Sequence, residues 1–414
     1  MNPSMIPASR EDAAALDATD PLQAYHDHFD LPEGVVYLDG NSLGPPPRAS
    51  LNKLRDTAER EWKDQLIASW NDAGWIDLPK KCGAKIASLI GAAPDDVLVC
   101  DSVSVNIFKL VSALYLARKA VSEPCAIAYE TDEFPTDGYI LQGLAKLTGT
   151  SLKKIASNGP DAAFADGIKI VVKSVVHYKS AAITDIAAWE RAAEKNDAVI
   201  VWDLSHATGV IALNMQRVGA RYGVGCGYKY LNGGPGAPAF IYVAKKAAEE
   251  LDQPLSGWMG HAAPFDFADG YLPAPGVKRF ACGTPPILSL SALDGALDVF
   301  DGIDMHAVEE KAKKLGDLFL ARAMALDLTS ASPGLDKQRG GHVSLRFGHS
   351  YEVVQALIAK GVIGDFRQPD IMRFGFSPLF LTYTQVWDAV DILGNILATE
   401  EWRKPEFAIR RTVT

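Results

Sequence analysis

Two neighbouring stretches decide the fold: AVIVWD at residues 198–203 and GCGYKYLNGGPGAPAFIYV at residues 225–243. The first stretch is nearly all apolar, which is typical of a strand that is buried on both faces of a parallel sheet. The second places Lys229 between two tyrosines, after glycines and before a Gly-Gly-Pro-Gly turn and a further strand signal. Together they predict an α/β fold with polar groups at the ends of buried strands.

The flanking sequence supports the same fold class. Further strand-like runs precede these stretches and alternate with helical patterns such as the one over 104–119; they are DVLVC (96–100), CAIAY (125–129) and IKIVVKSVV (168–176). Alternation of this kind predicts a mostly parallel sheet with right-handed crossovers. In such sheets ligands bind outside the carboxyl ends of the strands.

The two ends of the chain differ in texture from the middle. A polar arm with one short helix precedes VVYLDGNSLGPPPR (35–48), a short strand that stops at three prolines. After about residue 300 the patterns predict an amphipathic helix over 304–327, strands at HVSLRF (342–347) and IMRFGF (371–376), and a helical stripe near the C-terminus. The predicted division is an N-terminal arm at 1–45 that packs with the small domain, a large domain at 46–290 and a smaller α+β domain at 291–414.

Composition excludes several classes of function. The 414 residues carry a formal net charge of -10 with both signs interspersed, which argues against binding to nucleic acid or anionic membranes. No apolar run approaches the roughly 18 residues of a membrane helix, and the N-terminal sequence is not that of a signal peptide. The five cysteines are widely spaced without a C-x-x-C pair, so we expect neither disulfides nor a zinc site, and a reducing cytoplasm fits best.

Lys229 and Asp203 form the pair that carries chemistry. A lysine that makes a Schiff base must lose its proton, which requires partial burial. Pyridoxal phosphate (PLP) needs such a lysine, an Asp that keeps its pyridine nitrogen protonated, and a phosphate cradle. Ser104, as the N-cap of the helix after DVLVC, would supply the cradle. Alternatively, Asp203 caps a following helix, and a helix start alone is weak support for a phosphate site.

Six blocks of the sequence resemble the kynureninases, a branch of the fold-type-I PLP enzymes. In chain order they are YLDGNSLG (37–44), EFPTD (133–137), WDLSHATG (202–209), YKYLNGGPG (228–236), PLSGWMGH (254–261) and MRFGFSPL (372–379). The resemblance covers almost the whole chain. It implies PLP fold type I, with a large domain built on a mostly parallel sheet and a smaller α+β domain.

The resemblance also implies a role for each matching residue. Lys229, Asp203 and Tyr228 are the expected catalytic residues, and Arg373, Trp70 and Thr284 the expected substrate-binding residues. Trp258 and Thr284 would reach the cofactor from the partner subunit of an obligate homodimer with shared active sites. Alternatively, Trp70 is a core or interface residue and Arg373 pairs with an internal Asp. The expected cofactor contacts are Val103, Ser104, Phe134, Asp137, Ser174, Asp203, His206, Tyr228, Lys229, Trp258 and Thr284.

The implied reaction is hydrolysis of L-kynurenine to anthranilate and L-alanine by Cβ–Cγ cleavage, within tryptophan catabolism and the kynurenine pathway to NAD. Thr284 stands where the family often has Asn, and we expect a preference for L-kynurenine over its 3-hydroxy derivative. Three alternatives remain: an aminotransferase, a cysteine desulfurase using Cys282, and a PLP-binding protein without turnover. A metal hydrolase using Asp203 and His206 lacks a third ligand at useful spacing.

Overall fold

The computed structural model describes residues 6–119, 125–156, 159–165, 167–335 and 337–412. The first five residues of the predicted N-terminal arm therefore lie outside the described residues. Over the described ranges, no helix is long and apolar enough to cross a membrane.

Short strands and longer helices alternate along the chain. The strands are β1 (Val36–Tyr37), β2 (Val97–Val99), β3 (Ala126–Glu130), β4 (Leu152–Ile155), β5 (Ile168–Ser174), β6 (Val199–Asp203), β7 (Tyr222–Gly225), β8 (Phe240–Val243), β9 (Thr329–Ser330), β10 (His342–Arg346), β11 (Val362–Ile363), β12 (Asp365–Arg367) and β13 (Ile371–Gly375). The α-helices are α1 (Arg10–Ala18), α2 (Arg48–Asp56), α3 (Ser69–Asp72), α4 (Leu78–Ile90), α5 (Val103–Lys119), α6 (Pro135–Thr148), α7 (Ile186–Lys195), α8 (Lys245–Ala248), α9 (Ile287–Leu297), α10 (Met305–Met324), α11 (Ser350–Ala359) and α12 (Tyr383–Ala398).

The central sheet confirms the predicted fold class. Within the described residues it has seven strands in the order β2–β8–β7–β6–β5–β3–β4. Pairs from β7 through β4 are parallel, whereas β8 runs antiparallel to both of its neighbours. Because β8 returns beside β7, the loop at 226–239 that joins them lies at the carboxyl end of β7. Asp203 ends the parallel neighbour β6, so this loop and Asp203 share one edge of the sheet.

Strand β6 is buried on both faces, as its apolar sequence predicts. All five of its residues are buried. Ile200 and Trp202 belong to one apolar cluster, which includes Trp189 of α7. Val199 and Val201 belong to a second cluster on the other face. The sheet is therefore the middle layer of three, which fixes the position of its polar edge.

A smaller antiparallel sheet follows in the C-terminal part of the chain. Its strands, counted over the described residues, have the order β12–β13–β10–β9. Helix α10 packs against α12, and α11 packs against α12 and β13. Asp365 of β12 stands directly opposite Arg373 of β13. This register brings an acid and a base face to face inside the small sheet.

The N-terminal segment is tied to the C-terminal part of the chain. Strand β1 pairs in parallel with β11. The carboxylate of Asp17 accepts hydrogen bonds from the backbone N–H groups of Tyr383 (2.6 Å) and Thr384 (3.0 Å) at the start of α12. A carboxylate at a helix N-terminus satisfies otherwise unpartnered donors. The division at residues 45 and 290 stays a prediction.

Several elements differ from the sequence-based expectation. Helix α5 begins at Val103, and the hydroxyl of Ser102 accepts from the N–H of Val105 at 3.4 Å. The expectation that Ser104 caps this helix is therefore wrong, because Ser104 lies within the first turn. Strands β4 and β7 were not predicted, since LKKI and YGVG are short and carry charges or glycines.

Candidate active site

A cavity of about 240 Å³ lies where β5 and β6 end, beside the loop that follows β7. Nine of the predicted site residues line it: Val103, Ser104, Phe134, Asp137, Ser174, Asp203, His206, Tyr228 and Lys229. Sequence reasoning missed other lining residues, which include Ser102, Thr136, Tyr178, Ser205 and Cys226. The strand order brings together residues that are more than 100 positions apart in the chain.

Lys229 projects toward His206. Its Nζ lies 3.2 Å from Nε2 and 3.3 Å from Nδ1 of the imidazole. Burial lowers the pKa of Lys229, and the positive charges of Arg373 and Arg367 lower it further. Burial also holds the pKa of His206 well below its usual range, with Lys229 as the next cause. The lysine therefore gives up its proton more readily than an ordinary lysine, as a Schiff-base lysine must.

The GNSLG motif contacts the loop that carries Lys229. The N–H of Gly44 donates to the carbonyl of Tyr228 at 2.8 Å. A Cβ at Gly44 would lie 2.2 Å from the carbonyl oxygen of Lys229 and 2.1 Å from Oδ1 of Asn232. Only glycine allows this approach, so the motif fixes the backbone on either side of the lysine.

Carboxyl groups gather on the other side of the cavity. Oδ1 of Asp203 accepts from the N–H of Ser205 at 2.8 Å. Turns rather than a helix follow at 204–210, so the alternative of Asp203 as a helix N-cap is wrong. Burial raises the pKa of Asp137 well above its usual value, with Asp203 and Glu133 adding to the effect. Asp137 therefore holds its proton more tightly than an ordinary Asp, and its buried Oδ2 has no partner among the described residues.

The start of α5 provides donors for an anion. The N–H groups of a helix's first turn have no intrahelical acceptor and attract phosphate. Val103 and Ser104 form this turn and line the cavity, and Ser102 adds a hydroxyl that was not predicted. Tyr228 lies on the same cavity, and burial raises the pKa of its phenol, which therefore remains a donor.

Aromatic rings close the cavity. Phe134 directly precedes α6, and its ring makes an edge-to-face contact with Tyr178 at 5.4 Å between centroids. Phe134 is 43% exposed, so its ring is available to a flat ligand. Tyr178 follows β5 by four residues, and only the return of the chain toward the sheet edge places it here.

Arg373 is buried beside the cavity rather than in its lining. Its Nε donates to Oδ1 of Asp365 at 2.8 Å, and its Nη2 also bonds that carboxylate. Nη1 donates to the carbonyl of Tyr178 at 2.6 Å. The pairing with an internal Asp, which the sequence left as an alternative, therefore exists. The contact with Tyr178 nevertheless places the guanidinium next to the cavity.

Trp70, Trp258 and Thr284 do not line the cavity within one chain. Trp70 packs edge-to-face on Trp75 at 5.9 Å. Trp258 is 39% exposed and stacks with Phe267. Thr284 lines a separate cavity of about 860 Å³ that Cys282 shares. The roles expected for these three residues stay predictions, since two of them depend on a partner subunit.

The residues present fit PLP. A lysine with a lowered pKa, an aspartate, a helix start and an exposed aromatic ring border one cavity, and the unpartnered Oδ2 of Asp137 points to a missing polar partner. In the described ranges, no group of three or more His, Cys, Asp or Glu side chains could hold a metal ion.

Comparisons with known proteins agree with this assignment. A family model described as the kynureninase C-terminal domain matches residues 308–393. A kynureninase from Burkholderia mallei (strain SAVP1) is 44% identical over 98% of this chain and 100% of that protein. A kynureninase from Pseudomonas fluorescens is 43% identical over the same shares.

Solved structures share the fold at low identity. A cysteine desulfurase from Thermococcus onnurineus NA1 superposes with a TM-score of 0.77 at 17% identity, covering 91% of this chain and 98% of that one. A C-DES mutant with glycine covalently linked to its PLP cofactor gives 0.76 at 14% identity, covering 88% and 97%. These likenesses confirm the fold-type-I architecture.

Proposed function

The chain belongs to the kynureninase family, and from this we infer that it hydrolyses L-kynurenine to anthranilate and L-alanine. It is a hydrolase of carbon–carbon bonds, and its cofactor is pyridoxal phosphate. One water is added, and the bond between Cβ and the ketone carbon Cγ breaks. The observation that carries this function is the 44% identity to a kynureninase over 98% of the chain.

We propose that the cavity residues hold the cofactor as the family pattern implies. Lys229 would bind its carbonyl carbon, Asp203 its ring nitrogen, and Phe134 its ring face. The start of α5 with Ser104, and the phenol of Tyr228, would hold the phosphate. When bound, the cofactor accepts electrons from the substrate's α-carbon.

Lys229 is the residue that we assign to proton transfer. With the substrate bound, the amine of Lys229 would take the proton from the substrate's α-carbon. The lowered pKa increases the unprotonated fraction of this amine, as a general base requires. His206 stays neutral 3.2 Å away and can accept or donate a hydrogen bond without adding charge.

Asp203 and Asp137 would have different tasks. The carboxyl group of Asp203 would keep the ring nitrogen protonated, which favours electron flow away from the substrate. Burial and the charge of Asp203 raise the pKa of Asp137, which favours its neutral form. A neutral acid can donate a hydrogen bond to a polar group of the cofactor, whereas a second carboxylate would repel Asp203.

The partner subunit would complete the site. Trp258, Phe265 and Phe267 form an aromatic cluster that is exposed on one chain. Exposed apolar patches of this kind mark interaction surfaces. We propose that a second copy covers this surface in a homodimer, and that Trp258 and Thr284 reach the copy's cavity.

The pathway and compartment are also proposals. Anthranilate and alanine are products expected of tryptophan catabolism, with the 3-hydroxy substrate leading toward NAD. None of the five cysteines forms a disulfide in the described structure, which favours a reducing compartment such as the cytoplasm.

A cysteine desulfurase is the main rival, and it is less supported. Such an enzyme needs a nucleophilic cysteine that reaches the cofactor. Cys282 lines the 860 Å³ cavity with Thr284 rather than the cavity of Lys229. In a dimer in which Thr284 reaches the partner's cavity, Cys282 would lie in a segment that Pro285 and Pro286 stiffen, whereas a desulfurase needs a mobile cysteine.

The test is product analysis with purified protein and PLP. Anthranilate, followed by its fluorescence, and L-alanine should appear in equal amounts from L-kynurenine. Cys282→Ala should keep this activity, and Lys229→Ala should abolish it. Sulfide released from L-cysteine, with no anthranilate from L-kynurenine, would replace this proposal with the desulfurase.

A further inference from the structure

Arg373 shares its acidic partner with a second arginine. Asp365 and Arg367 lie two positions apart in β12, so both side chains project from the same face of the small sheet. Asp365 is paired across the strands with Arg373. Nη2 of Arg367 lies 2.8 Å from Oδ2 of Asp365, the oxygen that Arg373 also bonds. One carboxylate therefore lies between two guanidinium groups.

Arg373 has little hydrogen-bonding capacity left. A guanidinium carries five N–H donors. Nε and Nη2 bond Asp365, Nη2 also donates to Oγ of Ser42 at 3.1 Å, and Nη1 donates to the carbonyl of Tyr178. One N–H, on Nη1, remains. A substrate carboxylate that is bound by two parallel N–H groups can take only one of them from Arg373. The second donor must come from another residue, or the substrate must displace the buried Asp365.

Arg367 has the donors that Arg373 lacks. Its Nη1 bonds the carbonyl of Phe366 at 2.9 Å, and its Nη2 is shared between Asp365 and Ser42. Its Nε has no partner among the described residues. The side chain of Arg367 is 35% exposed, against 2% for Arg373. Arg367 thus lies on the accessible side of the shared carboxylate.

Both arginines act on the cavity electrostatically. Arg373 contacts the cavity lining through the carbonyl of Tyr178, and Arg367 shares Asp365 and Ser42 with Arg373. Each of the two charges also lowers the pKa of Lys229 and of His206. Asp365 remains ionised, because Arg373 lowers its pKa against the effect of burial. Burial and the charge of Asp365 raise the pKa of Asp39, the neighbouring acid, to about 8. Two cations, one anion and a mostly neutral Asp39 leave one net positive charge, which matches one carboxylate.

We propose that Arg367 is a second recognition residue for the α-carboxylate of the substrate, which it binds together with the remaining N–H of Arg373. This inference rests on the proposed function, since it assumes an amino-acid substrate. The substrate carboxylate would bind on the side of Asp365 where Arg367 is exposed, and it would balance the net positive charge. Arg373 would then position both Asp365 and the substrate, while Arg367 supplies the second prong.

Binding of two small amines to the PLP-loaded protein tests this role without turnover of kynurenine. L-Alanine carries the α-carboxylate and ethylamine lacks it, and both change the absorbance of the bound cofactor. Arg367→Gln should raise the Kd of L-alanine about tenfold, or about 1.4 kcal/mol. The same variant should change the Kd of ethylamine by less than about twofold. Arg367→Lys, which keeps the charge but loses the planar donors, should raise the Kd of L-alanine about threefold.

Arg346→Gln is the matched control. Arg346 is also an arginine of the small sheet, and its Nη1 lies 2.7 Å from Oδ1 of Asp370. Neither residue lines the cofactor cavity. The Arg346→Gln variant should leave the Kd values of L-alanine and ethylamine unchanged. Equal losses of L-alanine and ethylamine in Arg367→Gln, or no loss of L-alanine, would overturn the proposal. If Arg367→Gln does not take up PLP, Arg367→Lys decides alone, and a loss that is not selective for L-alanine overturns it. Failure of the wild type to cleave kynurenine would refute the function without touching this comparison.

Discussion

Nζ of Lys229 lies 3.2 Å from Nε2 of His206, and the pKa of each group is lowered. Two basic groups this close cannot both be positively charged without strong repulsion. Lys109, which is fully buried, behaves in the opposite way. Burial lowers its pKa, but Cys100 and Asp101 outweigh that effect and raise it. At Lys229, burial and the charges of Arg373 and Arg367 outweigh Cys226 and Asp203, which raise its pKa. Lys109 instead hydrogen-bonds both Asp101 and Cys100, so burial alone does not set the direction of the shift.

This contrast predicts which lysine carries the cofactor. Borohydride reduction of the PLP-loaded protein should fix the cofactor on the peptide that contains Lys229. Lys229→Ala should lose the visible absorbance and turnover. Lys109→Met is the control, and its residual bound cofactor should still be attached at Lys229. Peptide mapping by mass spectrometry decides, and label on another lysine of the wild type would refute the assignment.

Asp203→Asn should retain measurable PLP binding but lose at least about 100-fold in kcat, the scale of one lost electrostatic contact at a reacting centre. A neutral amide cannot hold the ring nitrogen protonated. Steady-state kinetics and a PLP titration measure the two effects separately. Near-normal kcat would exclude the role assigned to Asp203.

Arg373→Lys should weaken the substrate more than its retained charge suggests. Lysine cannot reproduce the planar contacts to Asp365 and Tyr178. Losing a desolvated charged pair costs about 2–5 kcal/mol, which is about 30-fold to several thousand-fold in kcat/KM. An unchanged kcat/KM would limit Arg373 to a structural partner of Asp365.

Ala181 predicts a stability effect away from the chemistry. Its φ is 61°, its side chain is fully buried, and its carbonyl accepts from the N–H of Gly340 at 2.8 Å. This φ lies in the left-handed region, which favours glycine over residues with a side chain. Ala181→Val should lower the free energy of unfolding by at least about 2 kcal/mol, because a branched side chain is strained there. Ala181→Gly should stay within about 1 kcal/mol.

Denaturant unfolding of the PLP-loaded protein measures both Ala181 variants. Ala188→Val, on the first turn of α7, is the control for the added methyl groups. A loss in Ala181→Val no larger than in this control would contradict the assigned strain.

The choice between kynurenines is predicted from Thr284. Its hydroxyl has a shorter reach than the amide of Asn and offers one donor rather than two. The kcat/KM for L-kynurenine should exceed that for 3-hydroxy-L-kynurenine at least about tenfold, or about 1.4 kcal/mol. Side-by-side kinetics measure this ratio, and Thr284→Asn should reduce it. Equal efficiencies would show that Thr284 does not select the ring.

The sequence predicted the centre of the fold well, because its signals there are local. AVIVWD is apolar throughout, so β6 and the position of Asp203 follow from the residues themselves. Lys229 stood out through its glycine and tyrosine neighbours. The block resemblance then supplied Phe134, Asp137, Ser174 and His206, all of which line the same cavity.

Other features depend on contacts that are distant in sequence. Tyr178 reaches the cavity only through the path of the chain after β5. The acid between Arg367 and Arg373 follows from the register of β12 on β13, which the sequence does not specify. The sequence predicts Ser104 as the helix cap, whereas the hydroxyl that accepts from the first turn belongs to Ser102, because the helix begins one residue before Ser104.

The packing of Gly44 on the lysine loop has a consequence for how the protein is made. Ser42, two residues earlier, donates to Asp365, and Asn41 would collide with any side chain at position 375. The segment at 41–44 thus holds the loop of Lys229, and the C-terminal residues Asp365 and Gly375 in turn hold that segment. A ribosome must release roughly the first 375 residues before that chain of contacts can close. We therefore expect the backbone around Lys229 to reach its final position only when the polypeptide is nearly complete.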